Sequence, residues 1–296
     1  MTQQEPDLRS IWSYLDNVAF TQGYVDAGGV RTRYVQAGPK DAPALVMVHG
    51  MGGSWENFIA NVAVHAQHFN TFAFDLLGHG YTDKPDRVYA VEDYVAQLKG
   101  FIAAMGLKQV NLLGLSIGGW TTTKFTIRYP ELVIKQMVLS AWGRPRSVET
   151  PETIALLQQA LVHRLKAVDE PSWQAINEVF DSLIAKPEDR MLDLLTFRLR
   201  VYRQPGMSKT MRNVFAGVSP AVWDKNMLTD EELKSVSRPT MVVGCVDNPD
   251  VFLKMAYEYK ALIPNVQWAE VLGASHWPQW ERADDINRIS LGFFRG

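Results

Sequence analysis

Val110-Asn111-Leu112-Leu113-Gly114-Leu115-Ser116-Ile117-Gly118-Gly119-Trp120-Thr121 is the stretch on which the fold turns. In it an apolar run meets Gly114-x-Ser116-x-Gly118, the strand, tight turn and helix of a nucleophile elbow that pushes one serine out of the end of a sheet. The spacing has a steric reason. The serine must hold a strained backbone conformation while neighbouring chains pass close to the turn, and only glycine leaves room. Gly114, Gly118 and Gly119 supply that room. Glycine and serine are common, so five residues also fit an ordinary turn in another α/β protein, and context decides between the two. The context agrees on both sides: Val110 to Leu113 is strand-like, and Thr121 to Tyr129 reads as a helix stopped by Pro130.

Upstream, residues 1–20 read as a surface lead-in with one short helix around Ile11 to Leu15. Gly23 to Asp26 and Val30 to Gln36 flank Ala27-Gly28-Gly29 as a β-hairpin, because a glycine pair between alternating runs favours a tight turn. Ala44 to Val48 is a fully apolar strand that ends in His49-Gly50-Met51-Gly52-Gly53. A glycine-rich loop directly after a buried strand lets backbone N–H groups face a ligand. This one lacks the Lys and Ser/Thr of a phosphate loop and does not fit G-x-G-x-x-G, so an oxyanion-hole loop is the better reading. Ser54 is placed to cap a helix from Trp55 to Ala66. Thr71 to Asp75 is the next strand, running into Asp75-Leu76-Leu77-Gly78-His79-Gly80, and Val91 to Met105 is a helix closed by Gly106.

Downstream, Gln136 to Ala141 is a strand, and then the strand rhythm disappears. Thr153 to Ala167, Ser172 to Leu183, Pro187 to Tyr202 and Ser208 to Ala216 are helical in period. Strand Thr240 to Gly244, helix Val251 to Leu262, strand Val266 to Val271 and helix Asp284 to Phe294 close the chain. Strands alternating with helices imply parallel pairing with right-handed crossovers. The expected fold is α/β: a mostly parallel eight-stranded sheet with helices on both faces and a helical cap inserted after the sixth strand. Residues 1–143 and 238–296 form the core in this division, and 144–237 the cap.

Composition excludes several classes. Thirty Lys and Arg stand against 32 Asp and Glu, with no strongly basic window, so nucleic acid is not an expected partner. The polar opening Met1 to Ser10 and the lack of any apolar run near a membrane-spanning length argue against a signal peptide and a membrane span. A single cysteine, Cys245, leaves no internal disulfide, and a cytoplasmic location is expected.

A serine hydroxyl needs a base in reach and a third group to orient that base, and on this architecture the chain order is Ser, then Asp or Glu, then His. Of six histidines, only His163 and His276 follow Ser116. His163 lies inside a helical run, where an exposed or packed histidine is ordinary. His276, in Gly273-Ala274-Ser275-His276-Trp277 just after the last strand, is the expected base. Asp247, on the loop after Thr240–Gly244, is the preferred acid, with Asp250 as its rival, because Asp250 can equally cap the helix that starts at Val251. The oxyanion would be met by the N–H groups of Met51 and Ile117.

Together these motifs resemble the α/β-hydrolase superfamily over nearly the whole chain. Ser116 at the elbow separates it from the dehalogenase and epoxide hydrolase branches, which place aspartate there. Within the superfamily, His276-Trp277-Pro278-Gln279-Trp280-Glu281-Arg282-Ala283-Asp284 looks like the H-W-x-Q-W-E-x-A-D signature of meta-cleavage product hydrolases, which split carbon–carbon bonds in dienoates from aromatic degradation. The resemblance carries Asn57, Arg198 and Trp277 over as substrate-binding residues. Met51-Gly52-Gly53, Leu115 and Cys245 depart from that family's usual proline, asparagine and arginine. The resemblance implies a small hydrophobic organic substrate, no metal and no organic cofactor. Its expected reaction is C–C hydrolysis of a 2-hydroxy-6-oxo-dienoate, with carboxylesterase or lactonase chemistry as the alternative. The cap and the aromatic-rich N-terminus leave a homodimer open.

Overall fold

The structure, a computed structural model, describes residues 9–144, 150–219 and 222–296; the first eight residues of the polar opening lie outside it. Eight strands form one sheet in the order β1-β2-β4-β3-β5-β6-β7-β8. They are β1 (Phe20–Asp26), β2 (Arg31–Ala37), β3 (Ala44–Val48), β4 (Asn70–Phe74), β5 (Val110–Leu115), β6 (Val133–Leu139), β7 (Thr240–Cys245) and β8 (Gln267–Val271). Only the pairs that involve β2 are antiparallel; from β4 to β8 every pair is parallel. The β1–β2 hairpin turns through Gly28 and Gly29, both at positive φ, and Gly29 N–H donates to Asp26 Oδ1 at 2.5 Å. β3, β4, β5 and β7 are buried along their full length, as strands covered on both faces must be; β3 is wholly apolar, while Asn70, Thr71, Asn111 and Thr240 are buried polar residues of the others.

The covering helices are α1 (Ile59–Ala66), α2 (Val91–Ala104), α3 (Ile117–Arg128), α10 (Val251–Leu262) and α12 (Ala283–Arg295). Polar side chains lock α12 onto α1. Asn61 Nδ2 donates to Asn287 Oδ1 at 2.8 Å, and His65 Nε2 meets Ser290 Oγ at 2.7 Å. Between β6 and β7 come α4 (Pro151–Asp169), α5 (Trp173–Asp181), α6 (Leu192–Tyr202), α7 (Met207–Ala216), α8 (Trp223–Asn226) and α9 (Asp230–Lys234), with no strand among the described residues. Short α11 (Pro278–Glu281) precedes α12.

Element boundaries differ from expectation where a turn intervenes. The helix expected from Trp55 begins as a 3-10 turn, Trp55–Phe58, and becomes α1 only at Ile59. Pro187 opens a separate 3-10 turn before α6. α3 starts at Ile117, four residues earlier than the apolar period suggested, because glycines obscure the period while offering the helix no steric obstacle.

The Asp75-x-x-Gly78-His79-Gly80 motif is a brace for the loop after β4. The Asp75 carboxylate accepts from Trp55 N–H at 2.9 Å and Tyr81 N–H at 2.8 Å, and it pairs with Arg33 Nε at 2.7 Å. Arg33 also holds Glu56 at 2.8 Å. A Cβ on Gly80 would stand 2.0 Å from Asp75 Oδ2, so no side chain fits there.

Candidate active site

Ser116 sits between the last residue of β5 and the first of α3 with φ 56° and ψ −118°, a backbone conformation that costs energy and is held by its surroundings. Its N–H donates to Leu139 O on β6 at 3.0 Å, and its C=O accepts from Trp120 N–H at 3.0 Å. The glycines act through close approach. A Cβ on Gly118 would lie 2.0 Å from Val48 O, and one on Gly114 would lie 2.6 Å from both Gly118 O and Thr122 Oγ1.

The loop after β3 passes directly over the serine: a Cβ on Gly50 would be 3.3 Å from Ser116 Cβ. His49 pins this loop from beneath. Leu76 N–H donates to its Nε2 at 3.0 Å, so Nδ1 carries the proton and donates to Gly50 O at 2.7 Å. Burial pushes the His49 pKa down to about 3, which keeps this tautomer neutral. Among the described residues neither the Met51 nor the Ile117 amide donates to a turn, loop or side-chain acceptor.

His276 follows β8 on a loop whose backbone is tied to β6, its C=O accepting from Ser140 Oγ at 2.8 Å. Burial, and then the charge of Arg164, lower its pKa to about 3. The ring is therefore neutral, as a general base must be. Phe252 lies against it, with ring centroids 3.9 Å apart. His276 Nδ1 is buried and has no partner among the described residues.

Neither aspartate reaches that nitrogen. Asp247 is exposed, and its Oδ2 accepts from Gly273 N–H at 2.7 Å, which ties the loop after β7 to the loop that carries His276. Asp250 caps α10, its Oδ1 accepting from Phe252 and Leu253 N–H at 2.9 Å each. Burial raises the Asp250 pKa, with the backbone donors opposing. His163 is an exposed residue of α4.

Two of the three expected substrate-binding residues meet. Arg198 on α6 is 4% exposed, its Cζ lies 5.8 Å from the Trp277 ring centroid, and its Nη1 is 3.5 Å from Tyr202 Oη. A Cβ on Gly52 would stand 2.7 Å from Tyr202 Oη and 3.5 Å from Arg198 Nη1, which puts α6 against the glycine loop. Asn57 lies beneath that loop. Its Oδ1 accepts from Ser54 N–H at 3.3 Å, while its buried Nδ2 is unpartnered and would be 2.7 Å from a Cβ on Gly53.

Arg164 was not anticipated. It lies on the face of α4 that carries Leu161, Ala167 and Val168, the first partly and the other two fully buried, whereas Val162 and His163 face solvent. A signal was available in that spacing, since positions three and four apart share a helix face.

Over residues 43–283 the sequence matches the family described as alpha/beta hydrolase fold, and the chain belongs to that family. It is 26% identical to the 2-hydroxy-6-oxo-6-(2'-aminophenyl)hexa-2,4-dienoic acid hydrolase of Metapseudomonas resinovorans, over 93% of this chain and 91% of that protein. It is also 26% identical to the carboxylesterase YbfK of Bacillus subtilis, over 97% and 90% of the two chains. Among solved structures, 2-hydroxy-6-oxo-6-phenylhexa-2,4-dienoate hydrolase from Rhodococcus sp. strain RHA1 superposes with a TM-score of 0.83 at 20% identity, covering 95% of this chain and all of that one. At that identity the likeness concerns the fold. Among the described residues no helix is long and apolar enough to cross a membrane.

Proposed function

We propose that this chain is a serine-nucleophile hydrolase that cleaves next to a carbonyl in a small organic acid, and that its substrate is a 2-hydroxy-6-oxo-dienoate split at the C–C bond. The observation that carries the proposal is the strained Ser116 beneath the Gly50–Gly53 loop, with a buried arginine and an indole at the other side of that loop. Ser116 Oγ, or a water activated by neutral His276, attacks the ketone carbon. The Met51 and Ile117 N–H groups receive the oxyanion. His276 delivers the proton to the carbon that leaves, so water is added across the C–C bond, giving a carboxylic acid and a dienol. Arg198 holds the substrate carboxylate, flanked by Trp277, and Asn57 Nδ2 supplies a further donor. Asp247 serves as the acid behind His276 once its carboxylate exchanges Gly273 N–H for His276 Nδ1–H.

Carboxylester hydrolysis through an acyl-enzyme is the second reading. It is favoured by the esterase among the relatives and by Leu115 and Cys245, which leave the site without polar groups found in dienoate hydrolases. Stopped-flow turnover of 2-hydroxy-6-oxo-6-phenylhexa-2,4-dienoate beside p-nitrophenyl butyrate, for wild type and Ser116→Ala, separates the two. Dienoate loss that far exceeds ester cleavage and collapses in the mutant supports C–C hydrolysis. Ester cleavage alone supports the esterase, and neither activity overturns both.

A further inference from the structure

Glu281, the last residue of α11, has no part in the chemistry above, yet its carboxylate gathers three backbone N–H groups. Oε2 accepts from Ser275 at 2.8 Å and from Trp277 at 3.3 Å, and Oε1 accepts from Ala185 at 2.6 Å. Ser275 and Trp277 are the residues on either side of His276. The His276 C=O is meanwhile held by Ser140 Oγ at 2.8 Å. The backbone that carries the base is therefore tied at both flanks by one carboxylate and at its own carbonyl by the residue just past β6.

The other oxygen of Glu281 reaches a different part of the molecule. Ala185 lies in the helical insertion, between α5 and the 3-10 turn Pro187–Asp189 that precedes α6. The same linker is tied a second time, because Trp280 Nε1 donates to Asp189 O at 2.7 Å. Phe180 of α5 meets the Trp277 ring edge to face with centroids 5.4 Å apart, and Arg198 of α6 lies against that indole. Trp277 and α11 thus form the platform on which the α5–α6 arm of the insertion docks. A carboxylate suits this bridge, since each of its two oxygens can serve a donor on a different element. A carboxamide has one acceptor oxygen and would turn its own N–H groups toward a donor on the other side.

We propose that Glu281 is a positioning residue for the reaction: it holds His276 and the α5–α6 arm in one register, so that the base and Arg198 are presented to the substrate together. This rests on Ser116 and His276 as the reacting pair. Glu281 acts only through backbone N–H groups and takes no part in the covalent steps.

The test reads the reacting pair without its substrate. Diisopropyl fluorophosphate modifies an activated serine: Oγ bonds to phosphorus, fluoride leaves, and the hydroxyl proton passes to the histidine. Labelling is followed by intact mass, well below the thermal midpoint of each variant, with Ser116→Ala as the blank. Glu281→Gln is expected to label about ten- to a hundred-fold more slowly than wild type, the range for a displaced reacting group. Glu281→Asp, which keeps two acceptor oxygens, should recover part of the loss. Asp193→Asn is the control, because Asp193 also ties the insertion to the core, accepting from Ser10 Oγ at 2.7 Å and Ile11 N–H at 2.8 Å, through contacts that leave out the His276 loop. It should label at the wild-type rate whatever it does to the midpoint. Wild-type labelling of folded Glu281→Gln, or an equal loss in Asp193→Asn, overturns the proposal. Should Glu281→Gln not fold, Glu281→Asp decides in its place, and a wild-type rate there overturns the proposal as well. A wild type that is not labelled at Ser116 brings down the hydrolase reading and this proposal with it, whereas a labelled wild type and an equally labelled Glu281→Gln bring down the proposal alone.

Discussion

Ser116 combines a left-handed backbone with a buried side chain, and its environment supplies every backbone partner it has. His276 presents a different case. Burial favours its neutral form, but its Nδ1 is unpartnered among the described residues, and two aspartates stand within the loop that follows β7. Their present hydrogen bonds predict separable phenotypes. If Asp247 moves onto His276 during the reaction, Asp247→Asn should lower kcat by roughly 10³ to 10⁴ with little change in KM, as loss of a triad acid does. Asp250→Ala should cost about 1 kcal/mol of stability through the lost α10 cap while leaving kcat near wild type. Steady-state kinetics and urea melts on both variants decide the assignment, and a reversed pattern would transfer the acid role to Asp250.

Among the elements, β3, β5 and α3 form a single joint. The parallel register pairs Val48 with Gly114, and α3 then crosses the end of β3 so closely that a methyl group on Gly118 would overlap Val48 O. Gly118→Ala must part the helix from the strand or shift the elbow, and we expect a loss of about 3 kcal/mol or more, at the upper end for overpacking. Gly292→Ala on α12 meets nothing within 4 Å and should be neutral or slightly stabilising, since alanine favours a helix over glycine. Chemical denaturation of the two variants tests the contrast. Comparable effects would mean that the joint is softer than its distances imply.

Across the whole molecule, four imidazoles are held neutral by burial. The pKa values of His49, His79 and His276 are lowered to about 3, and that of His65 to about 4. Unfolded chains protonate histidine near its ordinary value, so below it the unfolded state binds protons that the folded state refuses. Stability is therefore full above about pH 6.5 and is lost as pH falls toward the folded values, by about 1 kcal/mol for each imidazole between about pH 7 and 5.5. Glu56 acts with the opposite sign: burial raises its pKa, so its contribution grows as pH falls and offsets roughly one imidazole. The urea midpoint should drop clearly between these two pH values. An unchanged midpoint would mean that one or more of these rings is hydrated in solution.

Local sequence was enough for the elbow and for the alternation that yields the sheet, and it favoured His276 over His163 as the base. These depend on local stereochemistry and period: which residues tolerate a strained turn, which runs are buried on both faces, and where the strand rhythm stops. It took the tertiary structure to show that Arg198 on α6 lies beside Trp277 and that the Asp247 carboxylate accepts from Gly273 N–H. Each of those depends on how helices and loops far apart in sequence come to face one another. A residue's own neighbours in the chain carry no record of that distance, so Arg198 reads as one more charged residue of a helix until its place beside Trp277 is seen.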